Sequence, residues 1–401
     1  MGLSKRVLFF FGIILVIVFF ILGFIIFPHI TARSYVNESS LIATVATSTT
    51  TESNVVVHQK TPSSVKGLYM TSWVAGKPEL RKSIISLAQN TEINTIVIDV
   101  KDYTGRVSFE VVDPKLKEVG SQEIRIADIR EFIQTLHEKH IYVIGRIAVF
   151  QDPYFVTIHP EFAVKKKSDG SIWKDYKGVT WLDPAAKDVW EYIARLGKEA
   201  HSAGFDEINF DYIRFPSDGD MKDIAFPFSK DRKKEDVLKD FFAYLHTEFS
   251  QAGIPISADV FGMTTTNKDD LNIGQVLEDT LLNFDYVMPM VYPSHFPATW
   301  GGFKNPAAAP HDVVKLAMTA AALRAKAAGI SEFKLRPWLQ DFNLGAVYTK
   351  DMVRAQIAAT YDSGLNSWVL WDAGNTYTKA ALLKKGESTM KTEATSTPPT
   401  E

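Results

Sequence analysis

Along this chain two hydrophobic rhythms take turns. Short runs rich in β-branched and aromatic residues read as strands: Gly67–Trp73, Thr95–Asp102, Tyr142–Phe150, Glu207–Pro216, Pro255–Gly262, Phe284–Tyr292, Leu335–Asp341 and Ser367–Asp372. Between and after them the apolar positions recur at helical spacing: Pro78–Asn90, Ile126–Lys139, Pro184–Ala203, Arg232–Gln251, Ile273–Leu282, Asp312–Ala328, Lys350–Ser363 and a short Thr378–Lys384. Eight strand-then-helix units predict an α/β protein folded as a (β/α)8, or TIM, barrel. Alternation alone also fits an open doubly wound sheet. The count of eight, and the lack of a G-x-G-x-x-G or Walker loop after any strand, favour the barrel.

The fourth strand organises the rest. Ile208, Phe210 and Tyr212 point one way, and Glu207, Asn209 and Asp211 the other; Pro216 ends the run because proline cannot donate to a ladder. In a parallel barrel the aromatic face would meet helices. The polar face would line the interior, with Asp211 at the carboxyl end where such enzymes keep their chemistry. A buried carboxylate is costly unless it is paired or used; the simplest pairing would be a structural bridge from Asp211 to Arg214.

The ends of the chain have a different character. Val7–Phe27 is apolar apart from Gly12 and Gly23, long enough to cross a bilayer, and Lys5 and Arg6 before it would keep the amino end in the cytoplasm. A cleaved signal peptide is the alternative, with the barrel then secreted. Such peptides have a shorter apolar core, about 7–15 residues, and no clear small-x-small cleavage site follows Phe27. The expected layout is a cytoplasmic stub and transmembrane anchor over 1–30, a flexible Ser/Thr-rich linker over 31–64, the barrel over 65–385 and a disordered tail over 386–401. This places the barrel on the extracytoplasmic side of a membrane.

Composition narrows the function. The chain has 401 residues, a net charge of −3 and no cysteine. Thiolate metal sites, disulfides and cysteine nucleophiles are excluded, and nothing argues for a nucleic-acid partner. The first strand has no His-x-His and the histidines are scattered, so no metal is expected; no other cofactor is expected either. No G-x-S-x-G elbow is present.

Candidate chemistry gathers at the carboxyl ends of the strands. In chain order these ends offer Trp73; Asp99, Lys101 and Asp102; Arg146; Asn209, Asp211 and Arg214; Asp259; Tyr292; Trp338 and Gln340; and Trp371 and Asp372. Carboxylates with aromatics and few histidines suit glycosidic cleavage: one carboxyl donates a proton to the leaving oxygen, the other stays ionised, and rings stack on sugars. Asp211 and Asp259 sit on neighbouring strands, about 4.8 Å apart in a sheet, which favours the carboxyl spacing of roughly 5–5.5 Å found in retaining enzymes. Asp211 is expected to be ionised beside Arg214, and Asp259 to be the acid/base, its pKa raised by burial and by its neighbour. Lys101 beside Asp99 and Asp102 reads as a salt-bridged support as well as a ligand contact, and Arg146 and Arg214 as holders of carboxylates or of an acidic sugar. Trp338 and Trp371 fit core packing and ligand stacking equally; Trp73 and Tyr292 are the better ligand candidates.

Four strings carry a resemblance: Gly67-Leu68-Tyr69-Met70-Thr71-Ser72; Asn94 to Asp102 with Gly105; Phe210-Asp211-Tyr212-Ile213-Arg214-Phe215-Pro216; and Ser257 to Gly262. Together they resemble a family of putative glycoside hydrolases of unknown function, bacterial (β/α)8-barrel proteins that are often secreted or membrane-anchored. The resemblance spans Val65 to Lys385 and implies the barrel, a polysaccharide or oligosaccharide substrate, and a nucleophile or transition-state stabiliser at Asp211. Many such barrels carry a Glu as the acid, where this chain offers Asp259. The rival expectations are a carbohydrate-binding barrel without turnover and a structural envelope barrel.

Overall fold

The structure, a computed structural model, describes residues 56–387. The apolar run Val7–Phe27, most of the linker and nearly all of the tail lie outside the described residues. Among the described residues no helix is long and apolar enough to cross a membrane.

Eight parallel strands close into a barrel: β1 Lys66–Met70, β2 Thr95–Lys101, β3 Tyr142–Ala148, β4 Glu207–Asp211, β5 Ile256–Phe261, β6 Tyr286–Met290, β7 Trp338–Gln340 and β8 Trp368–Trp371. Each strand pairs with its sequence neighbours, and β8 returns to β1 with Gly67 opposite Val369. The strands have almost no exposed residue, as expected when helices cover a parallel sheet. The outer layer holds α1 Pro78–Asn90, α2 Ile129–His137, α3 Lys187–Ala203, α4 Lys234–Ser250, α5 Leu277–Asn283, α6 Pro310–Ala327 and α7 Lys350–Asp362. The eighth expected helix is a single 3-10 turn, Lys379–Ala381. Helix α6 starts two residues before the expected Asp312 because Pro310 fits a first turn, where no N–H is needed.

The alternation read in β4 holds to Asp211. Phe210 packs outward on Phe249 of α4, while Glu207, Asn209 and Asp211 face inward. The strand then stops short of Pro216, because Tyr212 is left-handed with φ 53°. A bulky residue in that region is an outlier. It turns Tyr212 away from the helix side and into the carboxyl-end cavity. A second departure is in β2, where the register shifts between Asp99 and Lys101. The irregularity removes Lys101 from the face it would have shared with Asp99. Its ammonium ion-pairs with Asp152 and lies over the Tyr192 ring of α3.

The barrel interior has two levels. Tyr69, Val97, Ile144, Met288, Trp338 and Val369 pack through its middle. Below them, at the amino ends, Arg336 donates to both carboxylate oxygens of Glu207 at 3.0 and 2.9 Å, and Tyr142 OH donates to Glu207 at 3.1 Å. Both carboxylate oxygens of Glu207 in this buried ionic floor have donors, as a buried carboxylate requires. Residues 56–64, expected to be the end of a flexible linker, run beneath it as a strap. Gln59 N–H donates to Asp206 at 2.6 Å, Thr61 Oγ1 bonds Tyr142 OH at 2.9 Å, and Asn94 Nδ2 donates to Ser64 O at 2.7 Å. His58 stacks on His201 with ring centroids 3.7 Å apart.

Candidate active site

Strand register brings the chemistry together. Asp99 of β2 lies opposite Arg146 of β3, Ala148 of β3 opposite Asp211 of β4, and Phe210 of β4 opposite Ala258 of β5. Asp211, the last residue of β4, and Asp259, two residues before the end of β5, therefore lie at matching depth on neighbouring strands, with Arg146 between them and Asp99.

Arg146 is the hub. Its Nη1 donates to Asp99 Oδ1 at 2.7 Å and its Nη2 to Asp211 Oδ2. Its Nε–H, buried and without a hydrogen-bond partner, faces Asp259 Oδ2 at 3.7 Å. Burial opposes the Arg146 charge, but the carboxylates of Asp211 and Asp99 outweigh it and hold the pKa above its ordinary value. Asp99 also accepts from Tyr69 OH at 2.5 Å; burial raises its pKa against the pull of Arg146 and Tyr69.

The two strand-end carboxyls differ in their surroundings. Asp211, 6% exposed, accepts from Arg146 and from the Tyr212 N–H, the latter at 2.6 Å. Asp259, 1% exposed, accepts at Oδ1 from Trp338 Nε1 at 2.7 Å and from Asn209 Nδ2 at 2.9 Å. Burial first, and then the charge of Asp211, push its pKa up to about 8, against the stabilising pull of Arg146, Trp338 and Asn209. With Oδ1 accepting two N–H donors, Oδ2, turned toward Arg146, is the oxygen without a hydrogen bond.

Both carboxyls line a cavity of about 450 Å³ at the carboxyl ends of the strands. Of the residues singled out in the sequence, Arg146, Asp211, Arg214, Asp259, Tyr292, Trp338 and Trp371 line it. Trp371 stacks on Tyr69 at 3.9 Å and meets Trp338 edge-on at 5.8 Å, forming an aromatic wall. Asn209 and Asp99 lie behind the lining and hold Asp259 and Arg146.

The others lie apart from the lining. Asp102 accepts from Arg125, whose guanidinium covers Trp73 at 4.1 Å; Trp73 is 55% exposed. Gln340 accepts from Ser294 N–H and donates to Phe342 O. Asp372 accepts from Thr376 N–H in the turn after β8. Lys101 is held by Asp152, as described above. Arg214 does not pair with Asp211: its Nη1 donates to Phe215 O at 3.0 Å and Ser217 Oγ at 3.1 Å, and the cation that meets Asp211 is Arg146.

Sequence reasoning missed Tyr69, Tyr212, Phe261, Gln275 and His295. Tyr212 sat in the most distinctive string, yet its backbone turn has no residue signature. Gln275 lines the cavity and holds the loop after β5, donating to Ile213 O and Asp259 O and accepting from Phe261 N–H. No spacing in the chain would have singled it out.

A hypothetical protein from Ruminiclostridium thermocellum is 39% identical over 48% of this chain and 97% of its own, with a TM-score of 0.44. The glycoside hydrolase domain of PgaB (BpsB) from Bordetella bronchiseptica is 14% identical, covers 78% of this chain and 95% of its own, and has a TM-score of 0.58, a likeness of fold. The glycoside hydrolase domain of PelA from Pseudomonas aeruginosa is 13% identical over 79% of this chain and 97% of its own, with a TM-score of 0.44. No curated protein matches. The family described as "Putative glycosyl hydrolase domain" matches residues 67–377, and the chain belongs to that family.

Proposed function

We propose that this barrel hydrolyses glycosidic bonds of an extracellular or cell-envelope polysaccharide, with Asp259 as general acid/base and Asp211 as nucleophile or transition-state stabiliser. The observation that carries the reading is the contrast between two adjacent carboxyls in one cavity. Asp211 is salt-bridged to Arg146, while burial and the Asp211 charge push Asp259 up to about 8. Environments that drive two carboxyls apart supply an acid and an anion at one pH. A barrel that only bound glycan would gain nothing from keeping one carboxyl neutral.

In the proposed course, Asp259 Oδ2–H protonates the leaving glycosidic oxygen. Asp211 meets the developing positive charge at the anomeric carbon, held in place by Arg146 Nη2 and the Tyr212 N–H. The negative charge left on Asp259 lies 3.7 Å from the unpartnered Arg146 Nε–H, which stabilises it after proton donation. Asp259 then takes the proton of the attacking water. The neighbouring strands support a retaining outcome. The family and the barrel support a carbohydrate substrate, and the aromatic wall supports stacking on a sugar face. The Val7–Phe27 run would anchor the chain in a membrane with the barrel outside the cytoplasm.

The test is a screen of the full chain against envelope glycans with reducing-end detection, followed by two variants on whichever glycan is cut. Asp211→Asn should abolish turnover. Asp259→Asn should lower it by roughly 10²–10⁴-fold on natural glycans, as loss of a general acid does, and far less on activated aryl glycosides. Near-normal turnover by Asp211→Asn would rule the assignment out.

A further inference from the structure

Two arginines line the cavity, and their partners differ. Arg146 faces three carboxyl groups, those of Asp99, Asp211 and Asp259. Arg214 is only 8% exposed, yet among the described residues it makes no ion pair. Its guanidinium lies over the rings of Trp181 and Phe261, 4.7 Å from each centroid. One nitrogen, Nη1, donates to Phe215 O and Ser217 Oγ. Nε and Nη2 have no hydrogen-bond partner among the described residues, and neither is sealed from solvent.

Of the acids whose charge reaches Arg214, Asp218 makes no ion pair with it, and the other two are engaged elsewhere. Asp175 accepts from Trp181 Nε1 and from the N–H groups of Lys177 and Val179. Asp211 accepts from Arg146 and Tyr212. Burial works against the Arg214 charge and lowers its pKa. Aromatic faces offset part of that penalty but leave the in-plane N–H edge open.

We propose that Arg214 is a receptor for a sugar carboxylate, so that the glycan taken into this cavity carries acidic residues, either hexuronates or hexoses bearing a lactyl ether. The inference rests on the reading of the cavity as a sugar site. A planar guanidinium edge matches a carboxylate with two parallel N–H···O bonds, in a way that a lysine cannot reproduce. The charge count also favours a carboxylate over a phosphate ester. The phosphate carries about −1.5 to −2 at pH 7, against a single arginine that already feels the charges of Asp211, Asp218 and Asp175. The open edge lines the same cavity as Asp211 and Asp259, so the acidic residue occupies the cleavage site or the position beside it.

The experiment measures binding rather than cleavage. The full chain, kept in detergent, is titrated calorimetrically with methyl glycosides in matched pairs: glucuronate against glucose, galacturonate against galactose, and N-acetylmuramate against N-acetylglucosamine. Glucose 6-phosphate is a further probe. At least one acid should bind about tenfold or more tighter than its neutral partner, the scale of a charge-assisted hydrogen-bond pair, and the pair that responds separates uronate from lactyl ether. The preference should shrink as salt rises. Arg214→Gln should bring the ratio near unity while the neutral partner stays within about twofold, and Arg214→Lys should retain part of it. Equal affinities within every pair, no binding by any acid, a ratio that persists in Arg214→Gln, or tighter binding of the phosphate would each overturn the proposal. If Arg214→Gln does not fold, the wild-type ratios and Arg214→Lys decide. A barrel that binds acids without cutting them would keep this inference and sink the hydrolytic one.

Discussion

Asp259 keeps a proton at a pH where an exposed aspartate has lost it, and that has a thermodynamic signature apart from catalysis. Its folded pKa, about 8, stands above the ordinary 3.8. Between those values the folded chain holds a proton that the unfolded chain lacks. The group's contribution to stability is therefore full below about pH 4 and is lost as pH rises through 8. Asp259→Asn, which does not titrate, should gain on the wild type over that window by on the order of a few kcal/mol, with no further gain at higher pH. Thermal melts of both proteins across the window check this; a difference that does not move with pH means Asp259 is ionised throughout. Under the proposed chemistry, loss of the same proton should make kcat/KM fall as pH rises past about 8. Much of this pair was legible in the sequence, because strict alternation put Asn209 and Asp211 on one face. The partner of Asp211 was not legible. Arg214 is near along the chain, whereas Arg146 reaches Asp211 across the strand register, which only closure of the sheet defines.

At the scale of elements, runs of β-branched and aromatic residues located every strand of the barrel, because burial on both faces demands them. Boundaries were less legible where tertiary contacts set them: the left-handed Tyr212 ends β4, and the β2 irregularity re-aims Lys101. The strap over 56–64 has no hydrophobic period. It is held through Asp206, Tyr142, Asn94 and Asn366, all at the amino ends of strands, and polar pairings of that kind leave no pattern in a sequence. A chain starting at Val56 should melt like one with the linker. A chain starting at Val65 should melt a few degrees lower, the shift expected for loss of one or two kcal/mol in a domain of this size. Equal melting temperatures would show the strap to be incidental. Burial, and then its stacked neighbour His58, push His201 down to about 4 from 6.5. The unfolded chain takes up that proton first as pH falls, so stability should drop between about 6.5 and 4. Thermal melts over that range should show less of this drop in the chain starting at Val65.

For the whole molecule, the eight repeated units made closure legible, since no other common sheet uses that number of strand-helix pairs in this way. Placement relative to a membrane is argued from Val7–Phe27 with Lys5 and Arg6 before it. Protease added to intact cells, directly or after the outer layer is opened, should shed the barrel domain. A barrel that stays protected until the inner membrane is lysed would refute that orientation.

The ionic floor of Glu207, Arg336 and Tyr142, with the strap beneath it, makes the barrel a cup and not a pipe. A cup has one doorway. Under the proposed chemistry the glycan arrives, the severed half departs and the hydrolytic water enters through the same opening. Traffic through that doorway fixes the order of events: water reaches Asp259 only after the leaving sugar has stepped aside. A departing half that lingers would block the next step, and if it re-enters ahead of water it can be rejoined to the chain it came from.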